Sequence, residues 1–129
     1  MKKKPKSTPL TRLKSDLDYW VPQLRLQNWN ISVRHEQWDK DKGFGDNQID
    51  PNNEHSTITL YDPSTIPVEV QGVRDLEVTL VHELLHIRLV YLSPNSNKTK
   101  KKWATEIAIE TIAQSLVANR RGIKLEALK

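Results

Sequence analysis

The sequence predicts an α+β domain in the order helix, small sheet, helix, helix, and three observations predict it. Apolar residues recur at helical spacing near the start, two short stretches alternate polar with apolar, and two long helical segments close the chain. The length of 129 residues suits a single domain around one core.

Residues 1–7 hold Lys2, Lys3, Lys4 and Lys6 with no apolar stretch, so a disordered basic tail is expected ahead of a domain over 8–129. Thr8-Pro9 reads as an N-cap with proline at the first helical position. Leu10, Leu13, Leu17, Trp20, Val21 and Leu24 then form one apolar stripe, and Pro22 should kink or end that helix. Trp29 to His35 alternates as a half-buried strand does. Asp39 to Glu54 is polar and rich in turn residues, among them Gly43, Gly45 and Pro51, around a short strand or hairpin. Ser56 to Tyr61 alternates again, and Asp62-Pro63-Ser64 ends it. From Val70 to Leu92 apolar residues appear on every side, the pattern of a central buried helix. A loop over 93–97 precedes a last helix, Lys101 to Arg121, which stops at Gly122. Trp20, Trp29, Trp38 and Trp103 are expected to fill the core and its rim.

Composition narrows the function classes. At 36% hydrophobic and 28% charged the chain is ordinary globular protein, with no apolar run long enough to span a membrane. The positive start lacks the apolar stretch of a signal peptide, so a cytoplasmic location is expected. Without cysteine, any metal must be held by histidine and carboxylate. The net charge of +4 sits largely in the tail lysines and in Lys98, Lys100, Lys101 and Lys102, a pattern of solvated segments. Those lysines alone would support a nucleic-acid partner, through contacts that weaken as salt rises.

The chemistry concentrates in His82-Glu83-Leu84-Leu85-His86. Residues i and i+4 share a helix face, so the two imidazoles can meet one metal ion, while Glu83 lies about 100° round and can hold a water beside it. Val81, Leu84, Leu85, Ile87, Leu89 and Val90 bury this helix, and its polar groups must find partners inside. A catalytic zinc needs a third protein ligand, and no histidine follows His86. Carboxylates on the last helix are the natural suppliers. In TEIAIETIAQSLV, Glu106 and Glu110 share a face and repel each other, which a nearby dication reverses. Glu106 is expected to ligate the metal, and Glu110 to accept the ring N–H of His82 or His86.

The pattern of His82-Glu83-x-x-His86, then Glu106 twenty residues on, then a carboxylate at Glu110, resembles the gluzincin metallopeptidases. Thermolysin-like members usually carry Asp where this chain has Glu110; Ile112 and Ala113 also fit their glutamate helix. The resemblance covers about residues 55–118, and is closest to minimal, single-domain minigluzincins of bacteria or phages. It implies a minimal zincin-like domain with an N-terminal helix, small twisted sheet, active-site helix and glutamate helix. It also implies one Zn2+, a peptide or protein substrate, and Glu83 as general base in hydrolysis. The strand Ser56 to Tyr61 is expected to be the sheet edge against which an extended substrate pairs. The family's oxyanion-stabilising residue has no counterpart in the matching region, so Tyr91, His55 and Tyr61 are candidates by residue type alone. SprT-like, DNA-associated proteases share TLVHELLH but take a later histidine that is absent here, and ImmA-type peptidases have a glutamate-alanine-asparagine signature that is also absent. Three other readings stay open: a zinc-containing regulatory or binding module, a latent enzyme whose residues 122–129 fold back over the cleft, and a DNA-associated protease of the SprT-like kind.

Overall fold

The computed structural model describes residues 9–40, 45–67, 69, 75–92 and 99–128. The basic tail, the Thr8 cap, Gly43, the helix start expected at 70–74 and the 93–97 loop lie outside them. Helix α1 (Pro9–Gln23) buries Leu13 and Trp20, with Leu17, Val21 and Leu24 half-buried beside them, which is the stripe its spacing predicts. It ends one residue after Pro22. Arg25 there takes a left-handed conformation, φ +55°, and Leu26 N–H reaches back to the Val21 carbonyl at 2.9 Å. Arg25 N–H meets the Pro22 carbonyl at 3.1 Å, completing a Schellman end that the fully buried Leu26 anchors.

Three strands follow: β1 (Asn30–Glu36), β2 (Gly45–Asp50) and β3 (His55–Tyr61), in the order β1-β3-β2. β1 runs parallel to β3, from Asn30 opposite His55 to Glu36 opposite Tyr61. β2 runs antiparallel to β3, with Gly45 opposite Leu60 and Asp50 opposite His55. Period-two alternation puts Ser56, Ile58 and Leu60 on the face that meets the helices, beside Ile31 and Val33 of β1 and Asn47 and Ile49 of β2. β3 is therefore the central strand, bonded on both sides, and not the edge that the sequence suggested. The physical reason lies in composition. Ser56, Ile58 and Leu60 are fully buried and belong in the middle, whereas the polar GDNQID stretch of β2 tolerates an edge.

Helix α2 (Leu76–Arg88) is capped by Asp75, whose carboxylate accepts from Val78 N–H at 3.1 Å. It is buried on nearly every side, through Val78, Leu80, Val81, Leu84, Leu85 and Ile87. Helix α3 (Thr99–Arg121) lies antiparallel to it, burying Ile109, Ala113, Val117 and Ala118, and ends at Gly122, whose φ of +66° needs no Cβ. A clasp ties the start of α2 to the end of α3. Arg121 donates to both Asp75 oxygens at 2.6 and 3.0 Å, and to Glu77 Oε1 at 2.9 Å. Arg120 donates to Glu77 Oε2 and to Asp16 of α1, and Trp20 Nε1–H donates to Glu77 Oε2 at 2.7 Å. Trp20 and Trp29 are core residues as expected, but Trp103 is 68% exposed, because it precedes the buried stripe of α3. Among the described residues no helix is long and apolar enough to cross a membrane.

Candidate metal centre

Antiparallel α2 and α3 bring the two halves of the motif face to face. His82 Nε2 lies 2.9 Å from Glu106 Oε2, and His86 Nε2 lies 2.9 Å from Glu106 Oε1. The ligand atoms of His82, His86 and Glu106 all fall within 4.8 Å of one another. A four-coordinate zinc, with bonds of about 2.0–2.1 Å, holds its ligand atoms roughly 3.3 Å apart, so this donor set fits that ion after small movements.

The outer partners fix the rings. Glu110 Oε1 sits 2.9 Å from His82 Nδ1, and Glu106 Oε2 lies 2.9 Å from its Nε2. Carboxylates only accept, so the ring as it stands donates from both nitrogens; with Nδ1 held by Glu110, it is Nε2 that would give up its proton to a metal. Gln114 Nε2 donates to the other Glu110 oxygen at 3.0 Å. Burial pushes the His82 pKa down, but Glu110, Glu83 and Glu106 more than offset it, leaving it above the usual histidine value. Burial keeps His86 below that value despite Glu106.

Glu83 differs from the other carboxylates. It is only 8% exposed, and burial, with Glu106 and Asp46 adding to it, pushes its carboxyl up to about 7 against the pull of His82 and Asn47. A carboxyl poised there can both take and return a proton near neutral pH. Its surroundings come from β2, which sequence reasoning did not connect to the site. Asn47 Nδ2 donates to the Glu83 backbone carbonyl at 2.8 Å, and a Cβ added to Gly45 would meet Glu83 Oε2 at 3.1 Å. The alternation of β2 was the available signal, but only the sheet register brings it to this helix.

The remaining candidates stand elsewhere. Tyr91 is exposed, and its hydroxyl donates to the Pro51 carbonyl at 3.1 Å. His55 and Tyr61 alternate with the inward residues of β3, and so take the sheet face turned from α2. The C-terminal segment makes a short turn at Leu125–Ala127 and lays Leu128 against the core near the end of α3. Fold and site together define a small α+β domain with a histidine-histidine-glutamate cluster beside a buried glutamate. Compared with protein-family models, curated proteins and solved structures, the chain matches none.

Proposed function

We propose that this chain is a zinc-dependent metallopeptidase of the gluzincin type its motif resembles, hydrolysing extended peptide segments. The convergence of His82, His86 and Glu106 within 4.8 Å, next to a buried Glu83 carboxyl, is the observation that carries the reading. A zinc ion held there supplies Lewis acidity and lowers the pKa of a bound water toward neutrality.

The chain's own residues supply the rest. Glu83 takes a proton from the water that adds to the peptide carbonyl carbon. It delivers that proton to the amine nitrogen as the C–N bond breaks, giving an amine and a carboxylic acid, whose own proton passes to the amine or to solvent. Glu110 would accept from His82 Nδ1–H and hold the ring with Nε2 turned to the metal. The outer edge of β2, unpaired among the described residues, offers main-chain groups to an extended substrate, in the role first expected of Ser56 to Tyr61.

The test begins with elemental analysis of protein purified without added zinc. Wild type should hold about one zinc per chain and Glu106→Ala almost none, while Glu110→Ala should bind about 10–100-fold more weakly. Glu83→Gln should keep the metal and lose peptide cleavage. A wild type that takes up no zinc on reconstitution would sink the metal assignment. Zinc binding without any Glu83-dependent cleavage would favour the regulatory module.

A further inference from the structure

Resting on Glu83 as the proton-transfer group, we infer that Gly45, Asn47 and Ser56 form a strand-borne cradle that positions it. Asn47 and Gly45 are thus positioning residues for the proposed hydrolysis.

The hydrogen bonds have one possible polarity. The Glu83 carbonyl can only accept, so the Asn47 amide must turn its NH2 toward it, at 2.8 Å. Asn47 Oδ1 then faces Ser56, whose hydroxyl donates to it. Ser56 is fully buried on the central strand, so its hydroxyl is fixed in place and in turn fixes the amide. A chain of two bonds thereby ties the backbone at Glu83 to the middle of the sheet.

Gly45 governs the side chain. Thr79 and Glu83 lie one helical turn apart on the same face of α2, and both meet Gly45. An alanine Cβ there would approach Glu83 Oε2 to 3.1 Å and Thr79 Cγ2 to 3.3 Å. The far end of Glu83 would have to give way by a few tenths of an ångström. Such an intrusion threatens carboxylate placement far more than folding. Catalytic groups need placement to within about 0.5 Å, and a misplacement of about 1 Å can cost on the order of a hundredfold in rate.

The strand touches α2 at Gly45 and Asn47, and a further bond joins the turns that follow the two elements. Gly45 meets Thr79 at one end, and Pro51 meets Tyr91 at the other.

The experiment compares full-length wild type, Gly45→Ala, Asn47→Ala and Glu83→Gln, each loaded with Co2+ for the visible spectrum and with Zn2+ for kinetics on a fluorogenic peptide mixture. Metal stoichiometry and thermal midpoint are read on every sample. Gly45→Ala should keep full metal and a wild-type midpoint while kcat falls about tenfold or more and KM stays within about twofold. Its Co2+ spectrum should move in the direction that Glu83→Gln moves it. Should Asn47→Ala fail to fold, Gly45→Ala, which removes no bond, decides the matter alone. Peptide cleavage with unchanged kcat and spectrum in Gly45→Ala would overturn the cradle and leave the peptidase reading intact. Absent cleavage in wild type, with Gly45→Ala still shifting the spectrum as Glu83→Gln does, would overturn the peptidase reading and keep the cradle. A wild type that binds no Co2+ would overturn both.

Discussion

Glu83 is held in its charged form only at a cost. Its folded pKa of about 7 lies above the ordinary 4.5, so ionising it penalises the native state. That penalty grows as pH rises from about 4.5 to 7 and is constant above. Glu83→Gln, which mimics the neutral acid, should therefore stabilise the metal-free protein by about 2–3 kcal/mol at pH 8 and by almost nothing at pH 4. Denaturant midpoints at the two pH values check this; an equal gain at both would show that the effect is not electrostatic. At this scale the sequence was legible where chemistry is local. His82 with His86, and Glu106 with Glu110, reveal themselves by helical spacing, and the two pairs do meet. Gly45 and Asn47 were not legible, because their meeting with Glu83 depends on sheet register across a separation of 36 residues or more.

Between elements, the clasp at Asp75, Glu77, Arg120 and Arg121 joins an acidic helix start to a basic helix end, so both dipoles favour it. Burial alone would raise the Glu77 carboxyl, but Trp20, Arg121 and Arg120 donate to it and hold it below its usual range; Asp75 is lowered in the same way by Arg121 and Val78 N–H. For carboxyls lowered on folding, the stabilisation is present above the unfolded pKa and is lost as pH falls through the folded one. The clasp's share of the thermal midpoint should accordingly stay level from pH 7 to about 5 and fall away below about pH 4, beneath the rise that protonating Glu83 gives between pH 7 and about 4.5. Glu77→Ala should flatten that drop and cost about 1–3 kcal/mol at pH 7, since it leaves Trp20 Nε1 without its acceptor and takes one carboxylate from Arg120 and Arg121, which keep Asp16 and Asp75. A mutant with an unchanged acid limb would show that the clasp does not govern acid unfolding. Element types were readable from periodicity, as was the stop at Gly122. The position of β3 was not, since alternation tells which face is buried but not which neighbours a strand has. Arg25 also escaped, because a left-handed helix end without glycine leaves no mark in composition.

For the whole molecule, the two ends of α3 are held by different means. Its second half is anchored by Ile109, Ala113, Val117 and the clasp, while over residues 102–108 no described side chain is fully buried. Mechanically, α3 is a lever with its fulcrum at Arg120 and Arg121, and the His82–Glu106 contacts are its catch. An ion shared between the two helices would lock that catch, so chelation should loosen the free arm before it disturbs the fulcrum. Amide hydrogen exchange with and without a chelator reads this directly, with faster exchange expected over residues 102–108 and little change over 113–121. Uniform acceleration along α3 would instead mean that the helix lets go as one piece. Were the proposed metal bound, a lever of this kind would make its occupancy felt by other macromolecules, because the loosened arm would bring the exposed Trp103 within reach of a protease. The protein's lifetime would then be coupled to its own metal supply.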